Sequence, residues 1–234
     1  MLARKTMMAQ SGPSYLLRTD FAVPSQPVTL SAGQVLDSTG EGMVVGALTV
    51  RSAATVTASI TGDAVSLVQA GGDSSALYTA GFDSPNREGD IFIGEMESTS
   101  GFSSTVFEFH SSQPPIATPT LGLRVDTSWK LYPGAISVAT FTANKRYKLI
   151  LAHKSGKIYC FIKNVTDGGA LTLFYVLSFT ARTDLYWIAG IASTLARQCK
   201  IHSLRHLQGL YPSLLPDVAA GAYSTTGHTE LDTL

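Results

Sequence analysis

Glu95-Met96-Glu97 is the pair of residues best placed to do chemistry. The stretch DIFIGEMES around it alternates, with Ile91, Ile93 and Glu95 on one side and Phe92 on the other, which predicts a strand. On a strand, residues two apart point to one face, about 7 Å from each other. Two facing carboxylates are the machinery of glycoside hydrolysis, with a separation of about 5–5.5 Å in retaining enzymes. The plainer reading is two solvated strand carboxylates. The histidines are His110, His153, His202, His206 and His228. His202 and His206 would share a face as metal ligands on a helix. On a strand they also share a face, but too far apart for one ion. No H-E-x-x-H pattern and no cysteine pair accompanies them. Asp83 and Asp90 flank the loop SPNREG and Asp73 lies in another turn, a set of oxygens for Ca²⁺ but not a recognisable one. No metal or other cofactor is therefore expected.

Other chemistries lack their signatures. There is no G-x-S-x-G elbow for a nucleophilic serine. The glycine-rich phosphate loops are absent as well. Cys160 and Cys199 sit in apolar runs, KIYCFIK and ARQCKIH, and read as buried or half-buried thiols. Asn164-Val165-Thr166 matches a glycosylation acceptor, which has meaning only on a secretory route. Among the aromatics, Trp129, Tyr132, Tyr147, Tyr186 and Trp187 are candidates for stacking on a sugar. Trp187 lies in the apolar run DLYWIAGIAS and is assigned to the core. Trp129 and Tyr132, beside the Pro133-Gly134 turn, are the better candidates for exposure and glycan contact.

The elements that must carry these residues are strands. The chain has 234 residues, 44% hydrophobic and 15% charged, with zero net charge. That is too apolar for disorder and short of the roughly 25% charge of an average domain. No apolar run approaches the ~18 residues of a membrane span. From Asp20 to Gln208 about a dozen short strands alternate with Gly, Pro, Asn and Asp turns, the spacing of a two-sheet sandwich. RYKLILAHKSGKIYCFIKNV is a hairpin around Lys154-Ser155-Gly156. In STVFEFHSS, Val106, Glu108 and His110 face one way and Phe107 and Phe109 the other. LARQCKIHSLRHLQ reads as a closing strand because Cys199, Ile201 and Ser203 alternate with Lys200 and His202. Residues 1–19 and 209–234 read as irregular arms around a sandwich of 20–208. Leu16 and Leu17 form the apolar patch of the first arm, and Leu210, Tyr211, Leu214 and Leu215 that of the second. Charge segregates: residues 20–123 hold two basic and eleven acidic residues, and residues 124–206 twelve basic and three acidic. Either the halves interleave and offset locally, or opposite faces attract neighbouring subunits, or a basic face serves an anionic partner. The basic residues are spread over strands rather than clustered, so nucleic acid is not an expected partner.

The hairpin Arg146–Asn164, the apolar strand LYWIAGIAS and the closing strand KIHSLRHL together resemble the concanavalin A-like lectin and glucanase superfamily, in particular its laminin G-like members. The opening YLLRTDF and the later GALTV resemble the start of laminin G-like modules of phage and bacterial surface proteins. The resemblance spans residues 20–208 and implies an all-β, two-sheet antiparallel jelly roll. Glucanases of that superfamily carry E-x-D-x-x-E on a strand; here Glu97 stands at the middle position and Ser100 at the last, so the motif is incomplete and no enzyme is expected. A sandwich of this kind with no secretory signal peptide, no catalytic motif and two sticky arms leads to a functional expectation. It is a phage virion structural protein, on the tail or capsid exterior, made in the host cytoplasm. Its partners would be copies of itself, other virion proteins and a host-surface glycan, with no membrane insertion. A carbohydrate-binding module is the second expectation and a glycoside hydrolase of the same superfamily the third.

Overall fold

The computed structural model describes residues 15–19, 21, 28–39, 42–51, 56–69, 75–79, 89–98, 105–111, 119–180, 182, 184–192, 197–209 and 212–234. Its strands begin with β1 (Tyr15–Thr19), β2 (Val28–Leu30), β3 (Val35–Leu36), β4 (Met43–Val45), β5 (Leu48–Arg51) and β6 (Val56–Thr61). They continue with β7 (Ala64–Gln69), β8 (Ser75–Thr79), β9 (Ile91–Ser98), β10 (Thr105–His110), β11 (Leu121–Val125) and β12 (Ser128–Tyr132). Next come β13 (Ile136–Thr140), β14 (Arg146–Lys154), β15 (Lys157–Asn164), β16 (Thr172–Ser178), β17 (Tyr186–Ile191) and β18 (Arg197–Leu207). A 3-10 turn (Pro212–Leu214), β19 (Gly221–Thr225) and one helical turn, α1 (Thr229–Asp232), follow. No helix among the described residues is long and apolar enough to cross a membrane.

These strands form two antiparallel sheets. The larger runs β19-β16-β15-β14-β9-β18-β7-β6-β2, with β1 against β18 and β4 against β1. The smaller runs β13-β12-β11-β10-β17-β8-β5-β3. The alternation read from the sequence sets which side chains enter the space between them. Phe92, Phe107, Phe109, Trp129 and Trp187 meet there in one cluster. Trp187 sits 5.3 Å from Phe92 and 5.4 Å from Phe107, both edge-on, the geometry that aromatic quadrupoles favour. The hairpin of β14 and β15 turns at Ser155 and Gly156, both with positive φ, and pairs Lys154 with Lys157. Cys160 and Cys199 are free and buried, and burial pushes the Cys199 thiol up to about 12.

Residues 15–19 and 212–234 pack on the sandwich, and residues 1–14 of the first arm lie outside the described residues. Residues 15–19 form β1, pairing Tyr15 with Leu207 and Arg18 with Arg205. Of the first apolar pair, Leu17 points into the core and Leu16 outward. In the second segment, β19 extends the larger sheet beside β16. The cause is the outer face of β9, β14 and β15, where Ile91, Ile93, Ile150, Tyr159 and Phe161 would otherwise meet water. Leu215 and Leu231 bury themselves on it, and Leu214 packs half-buried at its margin. Leu210 and Tyr211 lie outside the described residues. Lysines fasten the segment by its backbone: Lys154 Nζ donates to the Leu215 carbonyl at 2.9 Å and Lys157 Nζ to that of Val218 at 2.7 Å. Lys163 Nζ reaches the Asp232 carboxylate at 2.7 Å, and Arg205 donates to the Leu234 carbonyl. Of the residues expected to grip neighbouring subunits, Leu17 and Leu215 are buried within the chain, Leu214 is half-buried and Leu16 stays exposed.

The charge segregation resolves in the same way. Acidic β9 lies between basic β14 and β18, so opposite charges face each other across strands.

Candidate functional site

On the outer face of the smaller sheet, one row of paired residues crosses the strands. Tyr132 on β12 lies opposite Gly122 on β11, Gly122 opposite Glu108 on β10, Glu108 opposite Ile188 on β17, and Ile188 opposite Tyr78 on β8. Glu108 is fully buried at its centre. Its carboxylate accepts from Arg124 Nε at 2.6 Å and Nη2 at 2.9 Å, and lies 2.8 Å from His110 Nε2. This fork-to-fork pairing fixes the guanidinium plane. Burial works to lower the Arg124 pKa, but the Glu108 carboxylate outweighs it and holds the guanidinium above its ordinary value. Arg124 lies over the Tyr132 ring at 5.7 Å, and Tyr78 meets Tyr186 edge-on at 6.3 Å. All three tyrosines are half-exposed. The face therefore presents flat aromatic rings around a rigid cation.

Gly122 makes that row possible. Its φ is +146°, and a Cβ there would meet Glu108 Cα at 2.5 Å and the Phe107 carbonyl oxygen at 2.6 Å. Neither contact is the yielding end of a side chain. Gly122→Ala is expected to cost about 2–3 kcal/mol through backbone strain and overpacking, seen as a lowered urea midpoint with an unchanged slope.

A second polar site lies on the outer face of the larger sheet and has a clear structural origin. The edge of β18 is shared: β7 covers it at Arg197–Ile201 and β1 covers it near Arg205–Leu207. At the junction β18 bulges against β9, the register shifting between Ile201 and Ser203. The Thr19 hydroxyl accepts the Leu204 N–H at 2.8 Å, serving in place of a strand partner. The gap is a cavity of about 210 Å³ lined by Arg18, Thr19, Phe21, Asp63, Arg146, His202, Ser203 and Arg205. Around it Arg146 bridges Glu95 at 2.6 Å and Asp63 at 3.4 Å, and His202 Nδ1 lies 3.2 Å from Asp63. Burial foremost, with Arg146 beside it, lowers the His202 pKa; Asp63 and Glu97 pull the other way and are outweighed.

An imidazole with a depressed folded-state pKa is protonated first in the unfolded chain as pH falls. Its contribution to stability is complete above the ordinary value of about 6.5 and is lost as pH drops from there through the lower folded value. His202→Gln should therefore flatten the acid limb of the melting-temperature profile below pH ~6.5 relative to the parent. Parallel profiles would show that His202 does not contribute to it.

The other sequence candidates are placed as follows. Glu95 and Glu97 do share a face, but as ion-pair partners: Glu95 binds Arg146 and Glu97 binds Lys200 at 3.1 Å. The bulge puts His202 and His206 on opposite faces rather than one. His202 lines the outer cavity, while His206 stacks on Phe92 at 4.0 Å inside. Trp129 is not an exposed contact; it is 1% exposed and packs on Tyr147 and Phe141, because it alternates inward on β12. Tyr132, three residues on, faces outward. Asp90 is fully buried, its carboxylate 3.6 Å from His206 Nε2, and Asp73 and Asp83 lie outside the described residues. Among the described residues no three His, Cys, Asp or Glu side chains are arranged to hold a metal ion. Alternation along β10 places Glu108 and His110 on one face, but their partner Arg124 and the cavity depend on pairings across strands that local sequence does not signal.

No family model matches the sequence, and no curated protein matches it. Solved structures do resemble it. The exoplasmic/lumenal domain of VIP36 in its Ca²⁺/Man2-bound form superposes with a TM-score of 0.50 at 9% identity, over 86% of this chain and 96% of that one. Trypanosoma rangeli sialidase with 2,3-difluorosialic acid superposes with a TM-score of 0.51 at 10% identity, over 82% of this chain. The chain spans only 30% of that sialidase. At such identities the likeness is one of fold, and the fold it supports is the lectin-type two-sheet β-sandwich.

Proposed function

We propose that the chain is a carbohydrate-binding module that engages glycan on the outer face of its smaller sheet and carries out no catalysis. The observation that carries the reading is the row from Tyr132 to Tyr78, with Arg124 held rigid by Glu108 between half-exposed rings. Aromatic rings stack on the apolar faces of sugars, and a fixed guanidinium donates to their hydroxyls in a set direction. The VIP36 domain, of similar fold, is described with a bound mannose saccharide. Against hydrolysis, the partners of Glu108 are a guanidinium and an imidazole rather than a second carboxylate. The test is a glycan array followed by calorimetry on the parent, Tyr78→Ala and Tyr132→Ala. Saturable binding weakened about tenfold or more by each substitution is expected. No bound glycan, or binding indifferent to both changes, overturns the reading.

A finer proposal is that the sandwich is displayed on a virion and assembles as a homo-oligomer. Leu16 on β1 and Val44 and Val45 on the adjoining β4 are exposed apolar side chains that support a subunit contact. Light scattering that returns a monomer at every concentration opposes it.

A further inference from the structure

The cavity between β1, β7 and β18 lies on the opposite side of the sandwich from the tyrosine row and does not depend on that row's function. We propose that it is an oxyanion site, taking a carboxylate, sulfate or phosphate group from a small ligand.

The argument begins with charge. Among the described residues three guanidinium side chains line the cavity, Arg18, Arg146 and Arg205, against one carboxylate, Asp63. The adjacent Glu95 and Glu97 are already held by Arg146 and Lys200. With Arg146 set against Glu95 and Lys200 against Glu97, Arg18 and Arg205 face the carboxylate of Asp63, a surplus of one positive charge among the described residues, in a recess where the low local dielectric strengthens its attraction for an anion.

Hydrogen-bonding capacity gives the second argument. Arg146 uses its two terminal nitrogens on Glu95 and Asp63, and its buried Nε has no partner among the described residues. Arg205 gives Nη1 to the Leu234 carbonyl, and its buried Nε likewise has none among them. The Ser203 hydroxyl has no partner among the described residues, in a residue only 7% exposed. His202, its side chain 8% exposed, leaves Nε2 at 3.6 Å from the nearest Glu97 oxygen, beyond hydrogen-bond reach. Buried polar groups are nearly always satisfied, so these atoms, in residues that line the cavity, point to a missing partner. Most of the unused atoms are donors. A ligand rich in lone pairs and poor in hydrogens complements them, whereas a neutral sugar would bring as many donors as acceptors. The position also fits: the cluster arises at a strand bulge, a feature commonly used to re-aim side chains at binding sites.

The test uses the full chain and four probes at constant ionic strength: sulfate, inorganic phosphate, glucuronate and, as the neutral control, glucose. Binding is read by calorimetry and by backbone amide shifts. Saturable binding of at least one oxyanion is expected, with shifts centred on Thr19, His202 and Ser203 and none from glucose. Ser203→Asp places a carboxylate of the chain's own in the recess and should abolish binding. Arg18→Gln alters an exposed side chain packed over Tyr15 and should weaken binding about fivefold while the fold is kept. Glucuronate binding more tightly than the inorganic ions would assign the oxyanion to an acidic sugar; the reverse order would assign it to a free ion. The proposal is overturned if no oxyanion binds saturably, if glucose binds equally well, or if folded Ser203→Asp and Arg18→Gln bind like the parent.

Discussion

Removal of residues 209–234 will leave a chain that no longer melts cooperatively near the temperature of the full-length protein. The segment covers Ile91, Ile93, Ile150, Phe161 and Leu207, all buried on the outer face of the larger sheet. Each such side chain contributes about 1.5–3 kcal/mol by being buried. Losing even half of that burial removes a large share of a domain's stability of about 5–15 kcal/mol. The cut also deprives Lys154, Lys157 and Arg205 of the carbonyls they bind. Circular-dichroism melting and binding of an apolar dye provide the check. A trimmed chain that melts within a few degrees of the parent and ignores the dye would show that the segment is an appendage after all.

Arg124→Met is the most costly single substitution expected. It strands the fully buried Glu108 carboxylate with His110 alone. Breaking a buried ion pair from one side costs about 3–5 kcal/mol. For a chain of this size that is a fall in melting temperature of roughly 6–20 °C. The double change Glu108→Leu with Arg124→Met removes both charges and should recover most of the loss. Urea unfolding of the parent, both single variants and the double variant would measure the coupling. If the double variant is as unstable as Arg124→Met, the cost is one of packing and the charge argument fails.

The strands were legible because their chemistry is local. Alternation in β9, β10 and β15 separates Phe92 from Glu95, and Phe107 from Glu108, without knowledge of any partner strand. Trp129 was misplaced because proximity to a turn was given more weight than its inward parity on β12. In the C-terminal segment Pro212, Pro216 and Gly221 mark irregular chain but say nothing of what it lies on. The apolar stripe that calls for a cover is on β9, β14 and β15, far away in sequence. The bulge left one local sign: inward residues Cys199 and Ile201 are two apart, and the next, Leu204, is three further on. That slip by one reverses the faces of His202 and His206, and the cavity follows from it.

The central position of β18 also has a consequence for the order in which the protein can be made. β18 is the neighbour of β7, β9 and β1, and β17 that of β8 and β10. Strands finished early in synthesis must therefore wait with open edges for partners that emerge last. At ~5–20 residues per second, the stretch between Ile91 and its pairing residue Leu207 takes roughly 6–23 s to translate. Throughout that interval the nascent chain carries unpaired β edges with apolar flanks, the form most prone to pair with another chain. The half-made protein, more than the finished one, is where aggregation begins, and slower growth or chaperone occupancy acts on that interval alone.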